Sequence, residues 1–240
     1  MERLNKEGGV IMNFYKITNR EENHNNLQYK TGLNIDTLPW NPNGDCEEGG
    51  IYFSREDIFA FVNYGSWVRE VTIPEGTEVY ENPGSPKKWK AHKVILGERQ
   101  KLSAATIRKL LEQGADIHTV DDYVVKWASE NGHFETVKLL IKHGANIHAN
   151  DEEAFKLASC RGCLETVKLL IKHGANIHAN NDIALRWAIE KGHLEVVKTL
   201  IEHGANIQAH NNWALRWASA QGQNGNTEVA ELLIKHGASK

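Results

Sequence analysis

The stretch Thr166-Val167-Lys168-Leu169-Leu170-Ile171-Lys172-His173-Gly174-Ala175-Asn176-Ile177-His178 repeats, residue for residue, the stretch from Thr136 to His148. A slightly altered version runs from Val196 to Gln208, and Thr106 to His118 fits the same frame upstream. Gly114, Gly144, Gly174 and Gly204 therefore stand 30 residues apart, each followed by Ala, then Asn or Asp, then Ile. A period of roughly 20–50 residues marks a solenoid, in which each unit buries its apolar face only against its neighbours.

Every column of the array has a physical reading. Val167, Leu169, Leu170 and Ile171 fill one face of a helix, and Gly174 follows it as a C′ residue able to take positive φ. An earlier helix, Ile183 to Lys191, carries Ala184, Leu185 and Ala188 on a buried stripe and ends in the Gly192-His193 turn. Small residues at Ala154, Ala158, Ala184, Ala188, Ala214 and Ala218 let neighbouring helix axes approach to roughly 8–10 Å. Trp127, Leu157, Trp187 and Trp217 share a column and are expected to form a ladder of large residues in the core. Residues 103–118 read as a half-repeat capping the N-terminal end. The last unit ends at Gly237, after three extra residues near Gln223-Asn224-Gly225, and caps the other end.

The run from Asn181 to Ile207, with Gly192-His193-Leu194-Glu195-Val196-Val197 and the closing Gly204-Ala205-Asn206, resembles an ankyrin repeat. Two departures stand out. The units are 30 residues long where the family has about 33. The missing residues fall between Ile177 and Ile183, where the family has its β-hairpin finger, so a shorter finger is expected. The family's Thr-Pro-Leu-His is replaced by Tyr123-Val124-Val125-Lys126 and its equivalents, and Asp122, Glu152, Asp182 and Asn212 are expected to satisfy the helix N-termini instead. The resemblance implies a non-enzymatic scaffold or adaptor that binds a partner protein on the concave face. The matching positions are Asp122, Glu130, Asn131, Glu152, Arg161, Asp182, Glu190, Lys191, Asn212 and Gln221.

Residues 12–102 differ in composition and read as a small α+β domain behind a polar leader over 1–11. Strands are expected at Phe14–Thr18, Gly49–Phe53, Trp67–Ile73 and Glu78–Tyr80, with a last one from Lys90 to Leu96; Ile58–Tyr64 reads as a short helix, and Asn41-Pro42-Asn43-Gly44-Asp45 as a loop. The fold class is thus an α+β domain followed by an all-α solenoid of four repeats. Phe14-Tyr15-Lys16-Ile17-Thr18-Asn19, Gly49-Gly50-Ile51-Tyr52-Phe53, Trp67-Val68-Arg69-Glu70-Val71 and Lys88-Trp89-Lys90-Ala91-His92 through Gly97 resemble the domain preceding short ankyrin repeats in mimivirus-type giant viruses. That resemblance implies a usual start near Met12 and supplies no mechanism.

Net charge is −3 with 25% charged residues, which gives no overall attraction to nucleic acid or an anionic membrane. No stretch has the length of a membrane span or the pattern of a signal peptide, and three cysteines suit a reducing compartment. A cytoplasmic monomer is expected, in the host cytoplasm if the protein is viral, with no nucleic-acid or membrane partner.

Cys160 and Cys163 have the spacing of a zinc half-site but no second pair, and they occupy the columns of Glu130 and His133. Nine of the 12 histidines recur in three columns, so repetition explains them without a metal. No phosphate loop, catalytic triad or H-E-x-x-H pattern is present, and no cofactor is expected. The alternative is an ADP-ribosyltransferase-like front domain using Tyr15, Tyr52 and Glu70 or Glu78. Against it, Tyr52, Phe53, Trp67 and Trp89 read as the core of that domain.

Overall fold

The computed structural model describes residues 13–24, 27–41, 49–82, 84–220 and 227–238, the side chains of 209–212 and 220 excepted. The leader, most of the Asn41–Asp45 loop, Gln221 and the residues around Gln223 lie outside the described residues. The contacts divide the chain into two compact units, Met1–Val124 and Val125–Lys240.

The first unit is built from antiparallel sheets. Strand β1 (Phe14–Thr18) is followed by the short pair β2 (Asn23–His24) and β3 (Leu27–Gln28), then by β4 (Gly32–Ile35) and β5 (Ile51–Phe53). A 3-10 helix over Glu56–Tyr64 precedes β6 (Trp67–Thr72), β7 (Val79–Asn82), β8 (Lys88–Ala91), β9 (Lys93–Leu96) and β10 (Gln100–Lys101). One sheet runs β1-β6-β9-β4, with β10 also on β6, and a second runs β5-β8-β7. Phe14, Val71, Val94 and Leu96 from the first sheet meet Ile51, Phe53, Trp89 and Ala91 from the second in one apolar core. Phe14 contacts Phe53 and Trp89 edge-on, with ring centroids 5.0 and 5.3 Å apart.

The single strand expected from Lys90 to Leu96 is two strands. The chain leaves the second sheet after Ala91 and enters the first at Lys93, so His92 is the crossing point. Of the four aromatic residues expected in this core, Phe53 and Trp89 are buried there, whereas Tyr52 and Trp67 are half-buried outside it. On a two-sided strand Tyr52 must face opposite to Phe53.

The same unit ends with α1 (Ala104–Glu112), capped by Ser103 Oγ accepting from the Thr106 N–H at 3.3 Å. Helix α2 (Thr119–Glu130) begins the first full repeat. In the second unit the helices alternate: α3 (Phe134–Lys142), α4 (Ala149–Cys160), α5 (Leu164–Lys172), α6 (Ala179–Glu190), α7 (Leu194–Glu202), α8 (Ala209–Ala220) and α9 (Thr227–Lys235). After each second helix the C′ glycine takes positive φ, 89° at Gly144, 90° at Gly174 and 93° at Gly204. The next N–H then reaches back to close the helix end, as from Ala175 to the Leu170 carbonyl at 3.0 Å.

The shortened finger is not a small hairpin. Three consecutive residues in each of the first three repeats take left-handed φ: Val120, Asp121 and Asp122, then Asn150, Asp151 and Glu152, then Asn180, Asn181 and Asp182. This left-handed turn leads into the regular part of the first helix, which begins at Ile183 in the third repeat as expected. Asn and Asp tolerate that region better than other L-residues, which accounts for the Asn/Asp richness of these columns.

Candidate protein-binding face

On each first helix the buried columns are Val124/Ala154/Ala184/Ala214, Val125/Phe155/Leu185/Leu215 and Ala128/Ala158/Ala188/Ala218. They occupy one side of a 3.6-residue helix, so the opposite side is set by arithmetic. In the third repeat it is Ile183, Arg186, Trp187 and Glu190, at i, i+3, i+4 and i+7, all partly or fully exposed. The equivalents in the fourth repeat are Trp213, Arg216 and Trp217. Down the repeats the second column of this stripe is always cationic: Lys126, Lys156, Arg186 and Arg216.

The Trp127/Leu157/Trp187/Trp217 column belongs to this stripe and is not a core ladder. Trp127 is buried beside the His133 ring, 5.0 Å away between centroids, but Leu157, Trp187 and Trp217 are only half-buried. The reason is angular, because the three columns named above already fill the inward side.

Charge is distributed unevenly along the stripe. Glu153 lies 3.5 Å from Lys126 and 3.8 Å from Lys156, and Asp151 also lies 3.8 Å from Lys156, so the earlier lysines are balanced. Toward the end of the array, Ile183 and Trp213 replace Glu153 in its column. There the Arg186 guanidinium lies 5.5 Å from the Trp213 ring centre, and Trp213 stacks on Trp217 at 5.4 Å with 16° between planes.

The ten residues expected at the binding surface fall into three groups. Asp122, Glu152 and Asp182 are each 5% exposed, so their carboxylates are framework groups with little surface to offer a partner. Their carboxylates meet the histidine four residues earlier: His118 to Asp122 at 3.1 Å, His148 to Glu152 at 2.6 Å and His178 to Asp182 at 2.9 Å. Glu130, Asn131, Arg161, Glu190 and Lys191 are at the far end of the first helices and in the turns, at least partly exposed. Arg161 Nη2 donates to Glu130 Oε1 at 2.6 Å across one repeat, and Asn131 Nδ2 donates to the Trp127 carbonyl at 2.8 Å. Asn212 lies in α8 without a described side chain, and Gln221 is outside the described residues.

Cys160 and Cys163 are free thiols. Burial pushes the Cys163 thiol up. In its column, His193 Nε2 contacts the Cys160 carbonyl of the preceding repeat at 2.9 Å, and Cys163 makes the matching but weak contact with the Glu130 carbonyl at 4.0 Å. Cys163 therefore reads as the sulfur substitute in a histidine column, while Cys160 stands in the Glu130 column. Among the described residues no group of three or more His, Cys, Asp or Glu is arranged to hold a metal ion. No described helix is long and apolar enough to cross a membrane.

The residues of the transferase alternative are held in bonds of the first unit. Tyr15 hydroxyl bonds Gln113 Oε1, Glu70 pairs with Lys109 at 2.6 Å, and Glu78 accepts from Trp40 Nε1 at 3.1 Å. Tyr15 and Glu70 are register partners on β1 and β6.

A frame of paired helices with C′ glycines and a variable stripe on the first helices is that of a repeat protein used for binding. The family model for ankyrin repeats matches residues 99–181 and 177–240, and the chain belongs to the ankyrin-repeat family, whose repeats imply protein–protein interaction. Among the proteins it is similar to are several from Acanthamoeba polyphaga mimivirus. A putative ankyrin repeat protein is 37% identical over 50% of this chain and 44% of its own length. An uncharacterized protein is 35% identical over 51% of this chain and 92% of its own length. A second putative ankyrin repeat protein is 33% identical over 52% of this chain and 40% of its own length. The chain thus spans less than half the length of both putative ankyrin repeat proteins.

Proposed function

We propose that this chain is a non-enzymatic adaptor whose repeats bind a partner protein along the first-helix stripe, centred on Arg186, Trp187, Trp213, Arg216 and Trp217. The observation that carries the reading is the cationic column Lys126/Lys156/Arg186/Arg216, which runs beside the half-buried Trp187 and Trp217 in the third and fourth repeats. Trp and Arg are the side chains most enriched at binding hot spots, and their neighbours here are set on rigid helices. A column that is cationic in every repeat calls for an acidic partner segment. Glu130, Arg161, Glu190 and Lys191 form the polar rim. A partner from the host cytoplasm fits the mimivirus relatives.

The test is affinity capture with the full chain from an Acanthamoeba polyphaga lysate, beside an Arg186→Glu/Arg216→Glu double variant. The native chain is expected to enrich a protein that the variant loses while keeping the same thermal midpoint. Equal enrichment by both would place the binding surface elsewhere, and label transfer from nicotinamide dinucleotide, lost in Tyr52→Ala, would favour the enzyme.

A further inference from the structure

The first unit holds a cavity of about 180 Å³ beside the outer edge of β1, between the end of β5 and the 3-10 helix. Its apolar walls include Ile17, Tyr29, Tyr52, Phe61 and Tyr64, and Lys16 lines it as well. Lys16 is only 8% exposed. Its Nζ donates to the Tyr52 carbonyl at 2.9 Å and lies 4.6 Å from the centre of the Tyr29 ring. Among the described residues no carboxylate pairs with it. An ammonium carries three donors, so this one is buried with hydrogen-bonding capacity to spare and no counter-charge.

The surroundings carry charges of both signs, the Asp36 carboxylate acting on His24 and Tyr29. Lys88 and Lys90 place their amines 5.6 and 5.2 Å from the Tyr52 ring centre. His24 also lines the cavity, and burial together with the Lys16 charge pushes its imidazole down. Burial lowers the Lys16 amine to about 8. A cluster of this kind in a concavity is what a functional site produces. The strand edge adds a further donor. Tyr15 exchanges both of its outward backbone bonds with Ser54, at 2.7 and 2.8 Å, and alternation along an antiparallel strand turns the Ile17 N–H and C=O to that same side.

We propose that this cavity binds a small aromatic carboxylate, its carboxylate on Lys16 Nζ and its ring among the tyrosine and phenylalanine walls. The volume suits it, since a cavity of roughly 150 Å³ accepts a benzene ring. One buried ammonium matches a monoanion. A phosphate would bring a second charge and a third oxygen into a wall that is largely aromatic.

Benzoate is the probe, benzamide its neutral counterpart, and the readout is the NMR shift of the His24 ring and the Lys16 side chain in the full chain. Benzoate is expected to bind saturably and to raise the His24 titration midpoint, with benzamide at least about tenfold weaker. In Lys16→Met the two probes are expected to bind equally weakly. Equal affinity of both probes for the native chain overturns the proposal, as does the lack of any saturable shift up to about 10 mM benzoate. The native comparison stands by itself if the variant fails to fold.

Discussion

Asn206 donates its backbone N–H to Asp182 Oδ1 at 2.9 Å, one repeat back along the array, and the same carboxylate oxygen meets His178 Nδ1 at 2.9 Å. One buried carboxylate thus ties a left-handed turn to its own histidine and to the next repeat. Asp182→Ala leaves a backbone donor without its acceptor and is expected to cost about 1–3 kcal/mol in urea unfolding. Asp182→Asn keeps an acceptor oxygen and should lose less. Equal stability of the alanine variant and the native chain would show that the bond carries no weight.

Val120 is the one β-branched residue among the nine left-handed positions of the turns, with φ 52° and 47% exposure. Its equivalents are Asn150 and Asn180. Val120→Asn is expected to raise stability by about 1 kcal/mol, because left-handed φ costs a branched side chain on the order of 1–2 kcal/mol more than it costs asparagine. A lower thermal midpoint in this variant would contradict the left-handed turn.

These turns mark the limit of what the sequence conveys. The C′ glycine column was legible because only glycine takes that φ cheaply, and the helices because their apolar spacing is regular. The Asn/Asp columns read as helix caps because the same side chains favour both caps and left-handed backbone. The exposed stripe was present in the spacing of Ile183, Arg186, Trp187 and Glu190, but tryptophan's bulk suggested a core ladder. Lys16 carried no signal at all, since a single lysine in a strand looks like a solvent-facing residue until the opposite sheet is placed over it. The break at His92 was hidden by apolar residues that continue on both sides of it.

Cys163 contacts the Glu130 carbonyl at 4.0 Å, where His193 makes a 2.9 Å bond to the Cys160 carbonyl. Cys163→His should restore the column and stabilise the array by about 1 kcal/mol. Chemical denaturation of the two proteins checks this, and a destabilised variant would show that the turn cannot admit the ring.

The Lys16 amine is lowered from 10.5 to about 8 by burial. Between those values the unfolded chain holds a proton that the folded chain has released, so this group makes stability rise with pH across that window. Below pH 8 its full cost is present, on the order of 3 kcal/mol. Burial of Tyr29 raises its hydroxyl and acts oppositely above about pH 10, so the useful interval is pH 8 to 10. Ligand-free Lys16→Met is expected to lose this slope and to exceed the native chain in stability at pH 7. An unchanged slope would mean that the amine is not buried as a charge.

Photo-crosslinking from single positions tests the adaptor reading most directly. A photoreactive phenylalanine at Trp187, on the first-helix stripe, and one at Lys168, exposed on the second helix α5, are compared with the captured partner present. Adducts from position 187 and none from 168 are the predicted result. Adducts from 168 with none from 187 would contradict binding through the first-helix stripe.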